Sequence, residues 1–573
     1  MPVAPPQQDP RPSSQRLHAW TVALVALAAS LPGLPNVFTY DDVALIQDNA
    51  RLHSLSNWWS VLVSPYWPAP WSQELYRPVM SIFLSLQYAI GGGSPIVFRV
   101  TSDILYVMVS LLVLFLGRRL LPPTAAWAVA LLFAAHPVHV EAVAPAVNQG
   151  ELIVASLAMA SLIMFLDARR NDVLGPRTWV ALTIMTIVAA LTKENGFVIP
   201  GLILFADVIF DHTMPSSGRV LSRWRGYVMM GVACALLLWI RSRVLSGDVV
   251  GTYTAEALVG ATTGERLLTM LQVVPQWFRL LLWPAHLQMD YSPDEIVVST
   301  HWGAAEVAGL LLVIATAFAA FSMRRRMPVV TFGFMSAALA LLPVSNLVVI
   351  SSILLAERTL LLPSAFFLFA MVGPVVALGP WMDARRIARD TRLNDPTLSV
   401  IGTVTPVAQP STLAPFAMAV VLVLVIVGAS RSGARQAIWR NPVRLWHAAA
   451  IEAPKSKRVM QARRDATAAL LADYAPRIAA SNEPWNVRRQ VASLLHAMGD
   501  DSAAVEQFKL VVEMHPDRRA ASLDLATLYM AFGRFTDARD LASAEIAKGD
   551  STPDWRRVLH SADSASAPRA RDR

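Results

Sequence analysis

Apolar runs long enough to cross a bilayer recur along this chain, and short loops rich in arginine separate many of them. A run of about 18 or more apolar residues matches the hydrocarbon thickness of a membrane. Helical spans also satisfy their own backbone hydrogen bonds where water is absent. The expected fold is therefore all-α, a polytopic bundle of membrane helices. Composition agrees: 54% of the residues are hydrophobic and 16% charged, where soluble domains carry roughly a quarter charged. The formal net charge of +8 is read as topology, not as nucleic-acid binding, because most of the arginine lies in short inter-span loops. The single cysteine, Cys234, sits in an apolar run, which excludes a disulfide framework and a cysteine-rich metal site. The first apolar run follows a polar, proline-rich segment and lacks a small-residue cleavage site, so it reads as a retained span.

Eleven spans are predicted, at about 17–34, 97–116, 125–140, 152–166, 179–191, 197–210, 227–240, 304–321, 329–342, 359–376 and 413–427. With a cytoplasmic N-terminus, Arg118 and Arg119, Arg169 to Arg177, Arg219 to Arg225, Arg324 to Arg326 and Arg385 to Arg392 all fall inside. The other face then receives the polar motifs at the span ends. The expected organisation is a disordered cytoplasmic segment over 1–16, a transmembrane domain over 17–430 with outer loops at 36–96 and 241–301, a repeat domain over 437–559, and a disordered tail over 560–573. Within the first loop, 78–90 is too short to span upright; it lies along the interface or re-enters, and Gly91 to Gly93 end it.

The C-terminal region is charged, alanine-rich and repetitive. Ala492, Leu494, Gly499 and Ala504 recur 34 residues later as Ala526, Leu528, Gly533 and Ala538. That period, with glycine at a turn and alanine at helix crossings, signals tetratricopeptide repeats stacked as an α-solenoid.

Five motifs carry candidate chemistry. Asp41 and Asp42 stand just past the first span, with Tyr40, Trp58, Trp59, Tyr66, Trp67 and Trp71 in the same segment. Paired acids at that depth are costly unless used. They suit a general base, or a divalent cation as candidate cofactor; the plainer alternative is a solvated helix-end cap. His136, His139 and Glu141 fall within six residues in HPVHVE. They could hold a metal, meet a phosphate or orient an acceptor, although no third strong zinc ligand is evident; a polar helix-end cluster is the alternative. Lys193 with Glu194, and Glu357 with Arg358, read as two ion pairs at span mouths, and Arg77 precedes Pro78. Three cations, Arg77, Lys193 and Arg358, around one mouth suit a lipid phosphate headgroup; taken singly, each fits interfacial snorkelling.

The order of motifs (DD in the first loop, YRP, LLFAAHPVHVEAV, LTKENGF, LLLWPAHLQMDYSP, LPVSNL with AERTLLLPS, then repeats) resembles the transmembrane and tetratricopeptide-repeat O-mannosyltransferases of the GT-C superfamily. The resemblance implies a GT-C bundle with its site on the non-cytoplasmic face and a donor sugar carried on a polyprenyl phosphate. It implies an acid at Asp41 or Asp42, donor-phosphate binding by Arg77, Lys193 and Arg358, and acceptor or site-shaping roles for His136, His139, Glu141, Glu194 and Glu357. The expected partners are the polyprenyl-phosphate sugar and a protein Ser/Thr or glycan acceptor, the repeat groove being a candidate seat for the acceptor. One departure is NQGEL at 148–152, where relatives often carry a cation. The composition suggests a bacterial inner-membrane protein with periplasmic repeats. Two rival readings are a GT-C transferase acting on a lipid-linked or envelope glycan and a non-enzymatic scaffold or transporter. The polar motifs at span ends, without paired broken helices, weigh against a transporter.

Overall fold

The computed structural model describes residues 12–71, 75–211, 223–245, 255–291, 294–348, 350–351, 353–372, 374–375, 413–515, 517–550 and 552–566. Most of those residues are helical, with no strand among them. Arg219, the arginine-rich linker at 385–392, and residues 1–11 and 567–573 of the predicted terminal segments lie outside them; 12–16 and 560–566, expected to be disordered, are helical. The chain divides into two compact units, Met1–Arg440 and Asn441–Arg573.

The first unit runs α1 (Pro12–Ser30), α2 (Trp58–Val63), α3 (Pro78–Gly91), α4 (Pro95–Leu120), α5 (Pro123–Ala134), α6 (Val140–Val143), α7 (Gln149–Arg170), α8 (Pro176–Thr192), α9 (Ile199–Phe210), α10 (Trp224–Val244), α11 (Thr263–Leu282), α12 (Ala304–Met323), α13 (Pro328–Leu341), α14 (361–372) and α15 (Leu413–Gln436). Several open on proline, whose fixed φ and missing N–H suit a first helical position. Among the described residues five helices are long and apolar enough to cross a membrane, and the bent pair α5–α6 makes a sixth. The other predicted spans fall on shorter or less apolar helices. The protein is a multi-pass membrane bundle, but length and composition account for only about half of the eleven expected spans.

Burial separates the centre of the bundle from its rim. The apolar windows of α4 and of 146–170 are 56% and 67% buried, against 17% for α10, α12 and the window on α15. A rim helix keeps its apolar face toward lipid; α4 and α7 are the interior struts that carry the site. Gln149 at the head of α7 locks them together, donating to Gln87 Oε1 on α3 at 3.1 Å and to Phe98 O on α4 at 2.9 Å. The segment expected to lie at the interface, α3, is one-sided: Met80, Leu84 and Gln87 are buried, while Ile82, Leu86 and Ile90 are exposed.

The α5–α6 pair bends by 49° at His136-Pro137, where proline removes a backbone donor and clashes with the preceding turn. The carbonyls this frees find side-chain partners. Tyr106 Oη lies 3.2 Å from Phe133 O and 3.0 Å from Ala134 O, and Ser432 Oγ on α15 lies 3.0 Å from Ala135 O. At the arginine-rich end, Asp207 accepts from Arg223 at 2.7 and 2.8 Å and from Tyr227 at 2.8 Å, and it lies 3.3 Å from Arg169. Those arginines were expected to set topology; two of them also tie α7, α9 and α10 together through a buried carboxylate.

The second unit is a helical repeat: α16 (Pro442–Glu452), α17 (Lys457–Ala480), α18 (Pro484–Ala497), α19 (Asp501–Met514), α20 (Arg518–Ala531), α21 (Phe535–Ala547) and α22 (Pro553–Ser566). Gly499 and Gly533 end α18 and α20 at φ +91° and +68°, the left-handed region glycine enters without a Cβ penalty. Ala492, Ala504, Ala526 and Ala538 are fully buried where helices cross.

Candidate functional site

The two adjacent acids of the first loop have different surroundings. Tyr40 sits at φ +54°, an uncommon backbone for a non-glycine residue, and the chain turns there into Asp41 and Asp42. Asp42 is fully buried. Its carboxylate accepts from Ala146 N at 3.0 Å and Val147 N at 2.9 Å, and it pairs with Arg99 at 3.0 Å. The two amides belong to the first turn at Ala146–Asn148, whose N–H groups have no partner within the turn. Arg99, on α4, also donates to Asn36 O, Val37 O and Ala144 O. Asp42 is thus a clasp joining the first loop, α4 and the entry to α7. Asp41 is half-buried and acts electrostatically on Arg358 and Tyr66.

Arg358 and Glu141 form the next pair. Glu141 accepts from the Arg358 backbone N at 2.9 Å and from its guanidinium. Burial works against the Arg358 charge, but Glu141, Tyr40 and Asp41 outweigh it and hold the guanidinium firmly protonated. Glu141 is buried, and the Arg358 side chain stays 16% exposed.

The third cluster joins α3, α7, α8 and α10. Arg77 donates to Glu194 in a two-toothed pair at 3.0 and 2.7 Å, and Arg241 meets the other Glu194 oxygen at 3.0 Å. Burial alone would raise the Glu194 carboxyl; the two arginines hold it down at about 2. Lys193 pairs with Glu151 at 2.8 Å, and Asn195 donates to the same carboxylate at 3.2 Å. Burial lowers the Lys193 ammonium, Glu151 opposes that, and Arg77 and Arg358 lower it further. Lys193 therefore feels both Arg77 and Arg358, and Arg358 in turn feels Asp41.

The expected pairings between sequence neighbours are corrected here. Lys193 bonds Glu151, not Glu194, and Arg358 bonds Glu141, not Glu357. The reason is local: Lys193 is extended (φ −160°, ψ 149°), so successive side chains leave on opposite sides. Glu357 accepts from Tyr291 at 2.7 Å and Gln288 N at 2.6 Å. Burial and the Glu141 charge, against Arg435, push its carboxyl up to about 8.

The histidines are engaged within the protein. His136 Nε2 lies 3.1 Å from Leu281 O, while its Nδ1 accepts from Val138 N at 3.3 Å. His139 lies 3.0 Å from Tyr106 Oη and 2.8 Å from Ser364 Oγ. His139 thus fastens the turn carrying Glu141 to α14, which follows directly on Arg358. Among the described residues no group of three or more His, Cys, Asp or Glu is placed to hold a metal ion. Sequence reading passed over Arg99, Glu151, Arg241 and Tyr291. Arg99 had a signal, since a charge within a predicted span is costly unless partnered.

Residues 76–240, which carry Arg77, the histidines, Glu141, Glu151, Lys193 and Glu194, match the family model described as dolichyl-phosphate-mannose-protein mannosyltransferase. Residues 495–559 match a tetratricopeptide repeat model. The chain is 26% identical over 358 residues to protein O-mannosyl-transferase TMTC3 of Mus musculus, covering 58% of this chain and 39% of that protein. It is 31% identical over 274 residues to protein O-mannosyl-transferase Tmtc2 of Drosophila melanogaster, covering 45% and 29%. The chain is a relative of the TMTC-type O-mannosyltransferases. It spans well under half the length of those two relatives. Among solved structures, the oligosaccharyltransferase AglB of Archaeoglobus fulgidus overlaps 76% of this chain and 57% of its own, at 14% identity and a TM-score of 0.44; that likeness is too loose to place any residue.

Proposed function

We propose that this chain is a membrane glycosyltransferase of GT-C type. It moves a hexose, mannose-like, from a polyprenyl-phosphate carrier to a hydroxyl acceptor, a protein Ser or Thr. The observation that carries this reading is a chain of neighbours in which Lys193 feels Arg77 and Arg358, and Arg358 feels Asp41. They come from four separate segments, with the cations 16%, 12% and 15% exposed. The site sits at one end of the bundle. From Arg99 to Arg118 along α4, and from Glu151 to Arg169 along α7, is roughly 27–29 Å at 1.5 Å per residue, close to a hydrocarbon thickness of about 30 Å. The arginine clusters at the far ends favour the non-cytoplasmic face for the site.

In the proposed reaction Asp41 takes the proton of the acceptor hydroxyl. That oxygen bonds to the anomeric carbon as the bond from that carbon to the phosphate oxygen breaks, which inverts the centre. The electron pair leaves on the polyprenyl phosphate, where Arg358, with Lys193 and Arg77, stabilises it. Glu141 fixes the Arg358 fork, and Glu194 fixes Arg77. The test is transfer by the purified chain from a polyprenyl-phosphate mannose to a Ser/Thr peptide. Loss of transfer in Asp41→Asn with retained folding supports the reading; full activity in that variant overturns it, and transfer only to envelope glycans would reassign the acceptor.

A further inference from the structure

At the end of the bundle away from Glu151 and Lys193, a cleft of about 430 Å³ opens between α4, α7 and α8. Leu112, Met164 and Met185 line its depth, and Asp167, Asn171 and Thr178 its mouth. Asp167 lies sixteen residues beyond Glu151 on α7, roughly 24 Å at 1.5 Å per residue, so the cleft is separate from the site described above. Three arginines belong to the mouth. Arg119 donates from Nε to Asp167 Oδ1 at 2.6 Å, and its Nη2 meets the other oxygen. Arg170, beside Asn171, donates to Arg119 O. Arg177, beside Thr178, is exposed and makes no hydrogen bond or ion pair among the described residues. Asp167 is the one carboxylate lining the cleft, and Arg119 engages both of its oxygens. With Asp172 of the following turn counted as well, the mouth keeps more positive charge than negative.

The depth of the cleft follows from its helices. Leu112 lies seven residues from Arg119 on α4, Met164 six from Arg170 on α7, and Met185 eight from Arg177 on α8. These steps are roughly 9–12 Å at 1.5 Å per residue, within the roughly 15 Å of one leaflet's hydrocarbon, half of the about 30 Å core. An occupant is therefore apolar along its body and anionic at its head. We propose that this cleft binds an anionic glycerophospholipid of the leaflet at the arginine-rich end, with an acyl chain against Leu112, Met164 and Met185 and its headgroup at Arg170 and Arg177. Basic pockets between membrane helices recognise anionic headgroups in this way. Methionine is unbranched and adaptable, which suits a flexible acyl chain. A zwitterionic choline head brings a cation toward the same arginines and loses that advantage. By the distribution of arginine the leaflet is the cytoplasmic one. The site goes beyond the transferase reading and does not rest on it.

The test is binding by the delipidated full chain in detergent, with phosphatidylglycerol, phosphatidylcholine and inorganic phosphate as probes, followed by native mass spectrometry. Phosphatidylglycerol is expected to bind at least tenfold more tightly than phosphatidylcholine and to raise the thermal midpoint. Arg170→Gln with Arg177→Gln, two exposed positions, should weaken phosphatidylglycerol at least tenfold while the lipid-free midpoint stays near that of the parent. Ala160→Phe, which fills the cleft, should weaken it likewise. A phosphatidylglycerol with a photoactivatable acyl chain, at one equivalent on the unsubstituted chain, should label 160–173 and 176–185, a readout that does not depend on the variants folding. Equal affinity for phosphatidylcholine, undiminished binding in the variants, or labelling elsewhere overturns the site. Displacement of the lipid by inorganic phosphate at equal concentration also overturns it, because the cleft then contributes nothing beyond an anion contact.

Discussion

Arg99 and Asp42, 57 residues apart in sequence, meet at 3.0 Å in a site where the two side chains are 3% and 0% exposed. Removing one partner of such a pair leaves the other charged and dry, at about 3–5 kcal/mol. Asp42→Ala should therefore lose about that much stability, read as a lower thermal midpoint in detergent and a lower folded yield. Asp41→Asn should cost less stability than Asp42→Ala and lose transfer by about 10²-fold or more, as expected of a general base. Equal midpoints for the two variants would remove the distinction.

Arg358 presents a planar fork to Glu141 on one side and, in the proposed reaction, to a phosphate on the other. Lysine keeps the charge but not the fork. Arg358→Lys should lower kcat/KM about tenfold to a hundredfold, equivalent to roughly 1.4–2.8 kcal/mol of transition-state stabilisation. Steady-state kinetics at saturating acceptor check it; unchanged kcat/KM would assign Arg358 to structure alone.

Glu194 holds Arg77 and Arg241 together. Glu194→Gln leaves two arginines facing each other without their shared anion, and a loss of about 3 kcal/mol is expected. The double variant Glu194→Gln with Arg241→Gln should recover part of that loss, because it removes one of the two repelling charges. A thermal-melt double-mutant cycle measures it.

Glu357 gives a pH dependence of definite sign. Its carboxyl is raised from the ordinary 4.5 to about 8 by burial and Glu141, so the folded chain binds more protons than the unfolded chain between those values. Stability from this group is fully present below about pH 4.5 and is lost as pH rises through about 8. Glu357→Gln should flatten the melting temperature over that window, and a slope identical to the parent would reject the assignment.

The helices, the repeat turns and the membrane setting were legible because each is written locally. A span is a contiguous apolar run, and the turns at Gly499 and Gly533 follow a fixed period. The partners of the charged residues were not legible in the same way. Lys193 and Glu151 lie 42 residues apart by number, and Arg358 and Glu141 lie 217 apart. Proximity in sequence suggested Lys193 with Glu194 and Glu357 with Arg358, but the extended backbone at Lys193 and the turn at Glu357 aim neighbours apart. The histidines stood out by type, yet the bend they flank turns them toward Tyr106, Ser364 and Leu281.

The bend at His136 has a bearing on biogenesis. One of its exposed carbonyls is capped by Tyr106, made early, and another by Ser432, made some 300 residues later. Until the last hydrophobic helix has left the ribosome and found its slot, Ala135 has no hydroxyl from that helix to bond. Maturation of the half-built bundle is thereby tied to the arrival of its final strut, and a chain released before residue 432 would lack the contact that finishes the kink.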